Sequence, residues 1–408
     1  MKPNADALAR LRAYREQPER LVVGLMTGTS ADAVDAALVR FRGAGLAATG
    51  DVVAYRERPF DDELRSEVLE VAASESLPLE RLMRLDAALG EAYADTVFEL
   101  LNAAHVRPAD VTAIGSHGQT VRHLPRAANG GRALTLQVGS AAVLAERTGI
   151  AVVSDFRTRD TSAGGEGAPL VPVADWWRFR SERESRVLLN LGGMANVTHL
   201  PRGAGLDDVV AFDTGPGNSV LDGLMRAASG GLAHRDEGGQ KAAAGRVNEG
   251  LLEELLADPF FQAEPPRSTG RERFGDAYAA RLRDIGDQLG LSLEDQLATA
   301  AELTAVTVAD AIGRFLSPRG VDAVYVSGGG VRNATLMVAL RRRLEGITVR
   351  RLDDLGVAPE SKEALAFALL AHLTLSGEPG NVRGATGADR VAVLGHITPG
   401  ALPGQEKA

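Results

Sequence analysis

The chain has 408 residues, of which 45% are hydrophobic and 24% charged, and its formal net charge is −9. That length exceeds what a single hydrophobic core usually spans, so we expect about two domains with a cleft between them. The composition is that of an ordinary globular protein. The acidic balance argues against general attraction to nucleic acid or to an anionic membrane, because both need a basic protein face. A small-molecule partner is more consistent with this net charge than a nucleic acid or a membrane.

The absence of cysteine excludes disulfide frameworks, thiolate zinc sites and a cysteine nucleophile. The stretch from Met1 to Arg20 is rich in arginine and acidic residues and has no apolar core, so it does not resemble a secretory signal. No later apolar run approaches transmembrane length. We therefore expect a cytoplasmic protein.

Hydrophobic patterning in the first half predicts strands that alternate with helices. The opening run Leu21–Met26 breaks at a small-residue turn and resumes at Ala36–Val39, which predicts a hairpin. Alternation of strands and helices indicates a largely parallel sheet. The elements predicted after the hairpin are a helical region at about Asp61–Ala104, strands at Val111–Gly115, Leu134–Val138 and Ala151–Val153, and a helix near Ala141–Thr148.

The opening pattern recurs in the second half, where Val187–Leu191 breaks at two glycines and resumes as Asn196–Leu200. This repeat indicates that two lobes begin with the same hairpin. We place the boundary near residue 185, giving an N-terminal lobe of residues 1–185 with the sugar site and a C-terminal lobe of residues 186–408, whose last helix and tail can pack back on the first lobe. The later predicted elements are a strand through Phe212, helices at about Val247–Asp258, Leu297–Phe315, Ala334–Leu344 and Ser361–Leu375, strands at Ala323–Val326 and Ile347–Leu352, and a loop after Gly377.

The tips of the two predicted hairpins carry the residues that a triphosphate needs. Their glycines and hydroxyls offer donors that approach closely, and the tip residues are Gly28, Thr29, Gly192 and Gly193. The run Gly328–Gly330 at a later strand end would let backbone lie flat against an adenosine. Each feature alone has an ordinary alternative: a simple turn for the hairpins, and a helix-entry loop without ligand for the glycine run.

These features resemble the fold of actin, hexokinase and the heat-shock ATPases, and the individual strings resemble the anhydro-N-acetylmuramic acid kinase family from about Leu21 to Gly400. The strings are Gly24-Leu25-Met26-Thr27-Gly28-Thr29-Ser30-Ala31-Asp32, His117-Gly118-Gln119-Thr120-Val121, Asp155-Phe156-Arg157-Thr158-Arg159-Asp160, Leu189-Asn190-Leu191-Gly192-Gly193, Phe212-Asp213-Thr214-Gly215-Pro216-Gly217-Asn218 and Arg267-Ser268-Thr269-Gly270-Arg271-Glu272.

The resemblance implies a two-lobed α/β fold of the actin-like ATPase (ribonuclease H-like) type with its active-site cleft between the lobes. It implies a kinase that uses ATP and Mg²⁺, opens the 1,6-anhydro ring of anhydro-N-acetylmuramic acid with water, and phosphorylates the 6-oxygen in cell-wall recycling. A cytoplasmic homodimer is expected. The nucleotide-binding residues implied are Gly28, Thr29, Ser30, Ala31, Asp32, Ala33, Val34, Asp35, Gly192, Gly193, Gly215, Gly328, Gly329 and Gly330.

For the chemistry, the resemblance implies that Asp160 is the base that activates water; the local sequence equally favours a salt bridge to Arg157 or Arg159. Arg271 is a candidate contact for the substrate carboxylate, with a salt bridge to a neighbouring glutamate as the alternative. The further candidate sugar contacts are His117, Gln119 and Arg157, of which His117 has a structural hydrogen-bonding role as its alternative. The candidate Mg²⁺ ligands are Asp32 and Asp213, each with a turn-forming role as its alternative.

Four positions depart from the family pattern: Ala33 stands where glycine is usual, Ser140 where an acidic residue is usual, Glu166 where glutamine is usual, and Arg267 where lysine is usual. Ala33 matters only if that position needs a positive φ. Ser140 and Glu166 change local charge near the expected sugar contacts.

Two other functions stay open. Another sugar or acid kinase of the same fold would keep both hairpins, and a panel of ordinary and anhydro sugars would separate it. A nucleotide-dependent binding module like the heat-shock chaperones would need an added peptide-binding domain, for which the residues after the last predicted helix leave no room.

Overall fold

A computed structural model describes residues 13–126, 129–356 and 358–400. Residues 1–12, which supply most of the stretch used to argue against a secretory signal, lie outside the described residues. Over the described part of the chain, none of the helices has both the length and the apolar character needed to cross a membrane.

The chain folds into two compact units. The first is built from the chain up to Trp177 and from Glu360 onward, and the second from Arg178 to Pro359. The chain therefore changes units at Trp177 rather than at residue 185, and changes back before the last long helix.

A six-stranded sheet and a two-stranded ribbon form the first unit. Strands β1, β2 and β3 are successively antiparallel, whereas β1, β4 and β7 are parallel, and the sheet order is β13-β7-β4-β1-β2-β3. Strands β5 and β6 pair as a separate antiparallel ribbon. The strands are β1 (Glu19–Thr27), β2 (Ala33–Arg42), β3 (Thr49–Pro59), β4 (Ala113–Ser116), β5 (Gln119–Leu124), β6 (Leu134–Val138), β7 (Val152–Ser154) and, near the end of the chain, β13 (His396–Thr398).

The helices of this unit connect or cover these strands. They are α1 (Asp62–Ala73), α2 (Leu79–Ala103), α3 (Ala141–Thr148), α4 (Phe156–Ser162), α5 (Pro172–Phe179, which runs into the second unit), α13 (Lys362–Ser376) and α14 (Arg383–Thr386).

The second unit repeats the strand order of the first around a five-stranded sheet. Strands β8, β9 and β10 are successively antiparallel, β8, β11 and β12 are parallel, and the order is β10-β9-β8-β11-β12. Its strands are β8 (Arg186–Leu191), β9 (Met194–Leu200), β10 (Val210–Pro216), β11 (Ala323–Ser327) and β12 (Thr348–Arg351), and its helices are α6 (Ser219–Ser229), α7 (Gln240–Ala244), α8 (Glu249–Leu256), α9 (Arg271–Phe274), α10 (Asp276–Gln288), α11 (Leu293–Ala311) and α12 (Ala334–Arg343).

The repeated arrangement confirms the fold class and the internal repeat. In each unit a three-stranded antiparallel meander is extended by two parallel strands on the side of its first strand, which is the order of the ribonuclease H-like fold. Both predicted hairpins are present, as β1–β2 and as β8–β9. Each unit has its own apolar core, with Leu25 and Ile114 at the centre of the first and Leu189 and Val324 at the centre of the second.

The structure differs from the sequence prediction in several elements, and strand β5 and helices α4–α7, α9 and α10 are among those not predicted. The helical region expected over Asp61–Ala104 is two helices, because Ser74 ends α1 and Pro78 precedes α2, where an imide cannot donate to the preceding turn. Strand β3 was not predicted, since its polar, mostly exposed sequence reflects an edge position rather than a buried one. The tail expected as loop contains α14 and β13.

Helix α13 contacts the sheet of the first unit backbone to backbone. A Cβ placed on Gly24 of β1 would lie 1.9 Å from the carbonyl oxygen of Ala364, and one on Gly115 of β4 would lie 2.1 Å from that of Phe367. Both glycines therefore serve close packing of the helix, not flexibility of the strands.

We expect Gly24→Ala to lower the free energy of unfolding by about 3 kcal/mol, because the added methyl group would overlap helix backbone that cannot rotate away. Urea unfolding at constant pH measures this. Gly313→Ala is the matched control, since nothing lies within 4 Å of its Cβ position. Equal stability of the two variants would contradict the close approach.

Candidate active site

The tip of the first hairpin is a short turn tied to the end of β4. The Ala31 N–H donates to the Gly28 carbonyl at 3.2 Å, and Gln119 Nε2 donates to the same carbonyl at 3.1 Å. Thr27 Oγ1 donates to the Gly118 carbonyl at 2.9 Å. These bonds bring the predicted nucleotide residues Gly28–Asp32 beside the predicted sugar residues His117 and Gln119.

The predicted nucleotide segment divides at Ala33. Residues 28–32 form the turn, with Thr29 exposed, whereas Ala33, Val34 and Asp35 belong to β2, where Val34 is part of the core. The positive φ in this turn is at Ala31 (50°), and Ala33 is not among the residues with positive φ. The Ala33 departure therefore carries no backbone strain.

Asp35 is paired with a tyrosine inside the sheet. Tyr55 Oη donates to Asp35 Oδ1, and burial raises the pKa of Asp35 to about 6. The Asp35 carboxyl is therefore already hydrogen-bonded to a side chain within the sheet.

Three buried polar atoms at the end of β4 have no hydrogen-bond partner among the described residues. They are Ser116 Oγ, His117 Nδ1 and Gln119 Oε1, on residues that are 1%, 4% and 1% exposed. Leaving a buried polar atom unpaired costs about 1–3 kcal/mol, so such atoms indicate where a ligand or water completes the site.

His117 is held neutral by its surroundings. Arg157 Nε donates to His117 Nε2 at 2.9 Å, so that nitrogen accepts and the ring proton is on Nδ1. Burial lowers the pKa of His117 well below its ordinary value, and the Arg157 charge lowers it further. The side chain therefore offers a neutral N–H donor.

Asp160 lies in a closed hydrogen-bond network. Its side chain is 0% exposed, Oδ2 accepts from the Gly167 N–H at 2.8 Å, and Oδ1 accepts from Asn381 Nδ2 at 2.8 Å and Thr386 Oγ1 at 2.9 Å. Among the described residues it has no salt bridge, to Arg157, Arg159 or any other cation. The network joins the Gly164–Gly167 loop to the tail after α13.

This network fixes the direction of the Asp160 carboxylate. An ionised carboxylate has about four lone-pair sites, and the three donors occupy three of them. Through Gly167, whose carbonyl accepts from Arg157 Nη1 at 2.9 Å, the carboxylate also supports the arginine that orients His117.

The tip of the second hairpin is joined to the start of α6. The N–H groups of Gly217 and Asn218 donate to the carbonyls of Gly193 and Gly192, both at 2.8 Å. A Cβ on Gly193 would have Arg271 Nε at 3.9 Å as its nearest neighbour, and one on Gly192 would have nothing closer than 3.5 Å. The protein thus leaves room above both predicted phosphate-binding glycines.

Asp213 lies in β10, one position before a break in the strand pairing. Asp213 pairs with Asn196 and Gly215 with Ala195, so Thr214 is the extra residue of a bulge, and Gly215 has a φ of 145°. Asp213 Oδ2 accepts from the Thr269 N–H at 2.8 Å. Burial raises the pKa of Asp213 to about 7, against the lowering effects of the Thr269 N–H and the Arg267 charge, and the Glu272 charge adds to the rise.

Arg271 is exposed at the start of α9 and makes no salt bridge within the described part of the chain. The neighbouring-glutamate alternative is therefore absent there. Asp222 lies in the first turn of α6, and burial raises its pKa to about 6. The Arg271 charge is one of several that act in the opposite direction and lower this pKa. The sequence analysis did not name Asp222 as a site residue. The signal available in the sequence was its position four residues after Asn218, in the first turn of a helix that follows a glycine turn.

Two glycines of the run Gly328–Gly330 are explained by packing inside the second unit. Gly328 has a φ of 84°, and its Cβ position lies 2.7 Å from the Leu191 carbonyl oxygen, while that of Gly330 lies 2.6 Å from Leu191 Cβ. At Gly329 the nearest atom is Asn218 Nδ2 at 3.7 Å. Gly329 is therefore the position of the run with space for a ligand.

The two predicted metal ligands have different surroundings. Asp32 is exposed and lies 3.2 Å from Arg65 Nη2, and Asp213 is held by Thr269. Over the described residues, no group of three or more metal-binding side chains forms a ready-made metal site. Mg²⁺ in phosphoryl-transfer enzymes takes one or two carboxylates together with phosphate oxygens and water, so a single carboxylate fits it.

The remaining departures from the family pattern are accommodated locally. Glu166 Oε1 accepts from Arg126 Nε at 2.9 Å, which compensates the extra charge. Ser140 caps α3, its Oγ accepting from the Val143 N–H at 3.4 Å.

Two repeats of one strand order, each opening with a small-residue hairpin, define a protein of the actin-like ATPase fold, the class to which many sugar kinases belong. The model of the family described as anhydro-N-acetylmuramic acid kinase matches residues 20–400. The chain belongs to this family, and it is a kinase.

Relatives cover nearly the whole chain. The anhydro-N-acetylmuramic acid kinase of Caldanaerobacter subterraneus is 42% identical, with 95% of this chain and 99% of the relative aligned. The enzymes of that name from Salinibacter ruber and Gloeobacter violaceus are 45% and 43% identical, covering 95% and 93% of this chain and 98% of each relative.

We expect Thr386→Val to lower the free energy of unfolding by about 1–3 kcal/mol, because the buried Asp160 carboxylate would lose one of its three donors. Urea unfolding of the purified variant measures the loss. Unchanged stability would contradict the hydrogen-bond network.

Proposed function

We propose that this kinase transfers the γ-phosphoryl group of ATP to the 6-oxygen of anhydro-N-acetylmuramic acid while water opens the 1,6-anhydro bridge. The products are N-acetylmuramic acid 6-phosphate and ADP, in cell-wall recycling. The family match supports the substrate. The observation that carries the chemistry is the buried Asp160 carboxylate, held in one orientation by the Gly167 N–H, Asn381 Nδ2 and Thr386 Oγ1.

Asp160 is the general base of this proposal, as the family resemblance implies. The water oxygen bonds to the anomeric carbon and its proton passes to the carboxylate, while the bond between that carbon and the 6-oxygen breaks. The 6-oxygen takes the γ-phosphoryl group and ADP leaves.

The other residues bind and orient. Gly28–Asp32 and Gly192–Gly193 are the proposed phosphate contacts, because each tip offers space and backbone or hydroxyl donors. The Arg271 guanidinium, free of salt bridges to described residues, is the proposed partner of the substrate carboxylate. Neutral His117 and the open Gln119 Oε1 are the proposed sugar contacts, with Arg157 orienting His117.

Mg²⁺ would accompany the nucleotide, and Asp32 and Asp213 are the carboxylates we assign to it. When bound, the ion would neutralise charge developing on the transferred phosphoryl group. The homodimer and the cytoplasmic location stay predictions from the family resemblance.

We expect Asp160→Asn to reduce the turnover number by about 10²–10⁴-fold while ATP and sugar still bind, since the amide keeps the shape but cannot take the proton. Products formed in ¹⁸O-labelled water are analysed by mass. Thr386→Val is the control, because it removes one donor to Asp160 but keeps the carboxylate. Wild-type incorporation of label by Asp160→Asn would remove the base assignment.

A further inference from the structure

The loop Gly164–Gly167 lies directly against Asp160, the proposed base. The Gly165 N–H donates to the Asp160 carbonyl at 3.0 Å, and the Gly167 N–H donates to Asp160 Oδ2 at 2.8 Å. A Cβ placed on Gly165 would lie only 2.2 Å from Asp160 Oδ2. Because the loop backbone and the carboxylate are in contact, a displacement of the loop would displace the carboxylate as well.

This loop has little conformational restraint of its own, since three of its four residues are glycine. Gly164 and Gly167 have φ values of 90° and 76°, which residues with a side chain rarely adopt. Glu166 is the one residue of the loop that carries a side chain. A restraint from outside must therefore act on the loop backbone or on the Glu166 carboxylate.

Arg126, which lies just after strand β5, binds both. Its Nη1 donates to the Gly164 carbonyl at 2.8 Å. Its Nε donates to Glu166 Oε1 at 2.9 Å, and its main-chain N–H donates to Glu166 Oε2 at 3.1 Å. The two side chains are 32% and 23% exposed, so this ion pair is partly shielded from water. The Glu166 N–H also donates to the Thr386 carbonyl at 2.8 Å, which ties the same residue to the tail.

We infer that Arg126 is a positioning residue, which holds the Gly164–Gly167 loop against the Asp160 carboxylate through its ion pair with Glu166. The inference rests on the proposed function, in which Asp160 accepts the proton from water. Arg126 itself contacts the loop and not Asp160, so its effect on catalysis passes through the loop backbone.

The ion pair also accounts for the departure from the family pattern at Glu166, where glutamine is usual. A neutral amide can lie in a partly buried loop without a counter-charge, whereas a carboxylate there needs a cation. His123 does not supply one, because burial lowers its pKa and leaves the ring neutral above pH 7. Arg126 is therefore needed because residue 166 is a glutamate.

A role in stability alone is the competing account, because Arg126 also joins the end of β5 to the loop. The two accounts differ in what they predict for folded protein. Loss of a stabilising contact lowers the amount of folded enzyme, whereas displacement of the base lowers the turnover number of each folded molecule. An error of about 1 Å in the placement of a catalytic group can cost about 10²-fold in rate.

The test compares Arg126→Ala, Glu166→Gln and a protein with both changes against Arg186→Ala. Arg186 is the matched control in the second unit, because its Nε donates to Glu184 Oε2 at 2.7 Å and its Nη1 to the Phe179 carbonyl at 2.8 Å. It thus makes the same two kinds of contact as Arg126. Turnover numbers are measured above pH 7 at saturating sugar and normalised to the folded fraction, and KM is measured for ATP.

We expect Arg126→Ala to lower the turnover number about tenfold or more with KM for ATP within about twofold of wild type, because the loop moves while the phosphate contacts stay. Glu166→Gln should stay within about twofold of the wild-type turnover number, since the amide oxygen still accepts from Arg126. Adding Glu166→Gln to Arg126→Ala should restore the turnover number to within about threefold of wild type, because the unpaired charge is removed. Arg186→Ala should keep the wild-type value.

Arg126→Gln, which removes the charge but keeps more of the side-chain volume, decides the question if Arg126→Ala does not fold. A folded Arg126 variant with the wild-type turnover number would overturn the positioning role, and so would a protein with both changes that is no faster than Arg126→Ala. Asp160→Asn, measured in the same series, separates the two levels of the argument. If Asp160→Asn turns over normally, the proposed function itself fails; if it is inactive while Arg126→Ala is normal, only the positioning role fails.

Discussion

Helix α13 contacts two strands of the first unit through backbone alone, and the candidate sugar site depends on that contact. Gly24 and Gly115 leave no space between helix and sheet, so β1 and β4 lie at a fixed depth under the helix. The turn after β1 holds the first set of small residues, and the residues just after β4 include His117 and Gln119. Phe367 of the same helix lies 4.7 Å from the His117 ring, centre to centre. The last long helix thus positions the residues near the start of the chain.

Asp160 extends this arrangement into the tail. Its carboxylate accepts from Asn381 and Thr386 on one oxygen and from Gly167 on the other. The Gly167 carbonyl then accepts from Arg157, and Arg157 donates to His117. Because each step is a directional hydrogen bond to a buried group, a change at either end alters the His117 N–H that faces the open polar atoms. The Asp160 carboxylate therefore also helps to fix the orientation of the His117 side chain.

Much of the fold could be predicted from the sequence because its signals are local. The hairpins β1–β2 and β8–β9 each combine an apolar run with a glycine or serine tip, and their repetition indicates two units of one kind. Strand β3 and the tail elements β13 and α14 were missed because their residues are polar and their structure depends on pairing with distant strands or on the Asp160 network. Pro78 was a sequence signal for the break between α1 and α2. The helical periodicity of apolar residues on both sides of it led to the prediction of one continuous helical region.

The site was less predictable, since the role of a carboxylate is set by what surrounds it in space. Asp160 follows a string with two arginines, and Asp213 precedes a glycine turn. Neither sequence pattern indicates how many hydrogen-bond donors lie around each carboxylate. Burial acts on both, but three donors enclose Asp160 and leave no exposed surface, whereas Asp213 has the Thr269 N–H on Oδ2 and a pKa raised to about 7. Hydrogen-bond donors favour the charged form of a carboxylate, whereas burial that donors offset only in part raises its pKa. The difference between these two carboxylates is therefore a property of their surroundings in space, which the order of residues along the chain does not contain.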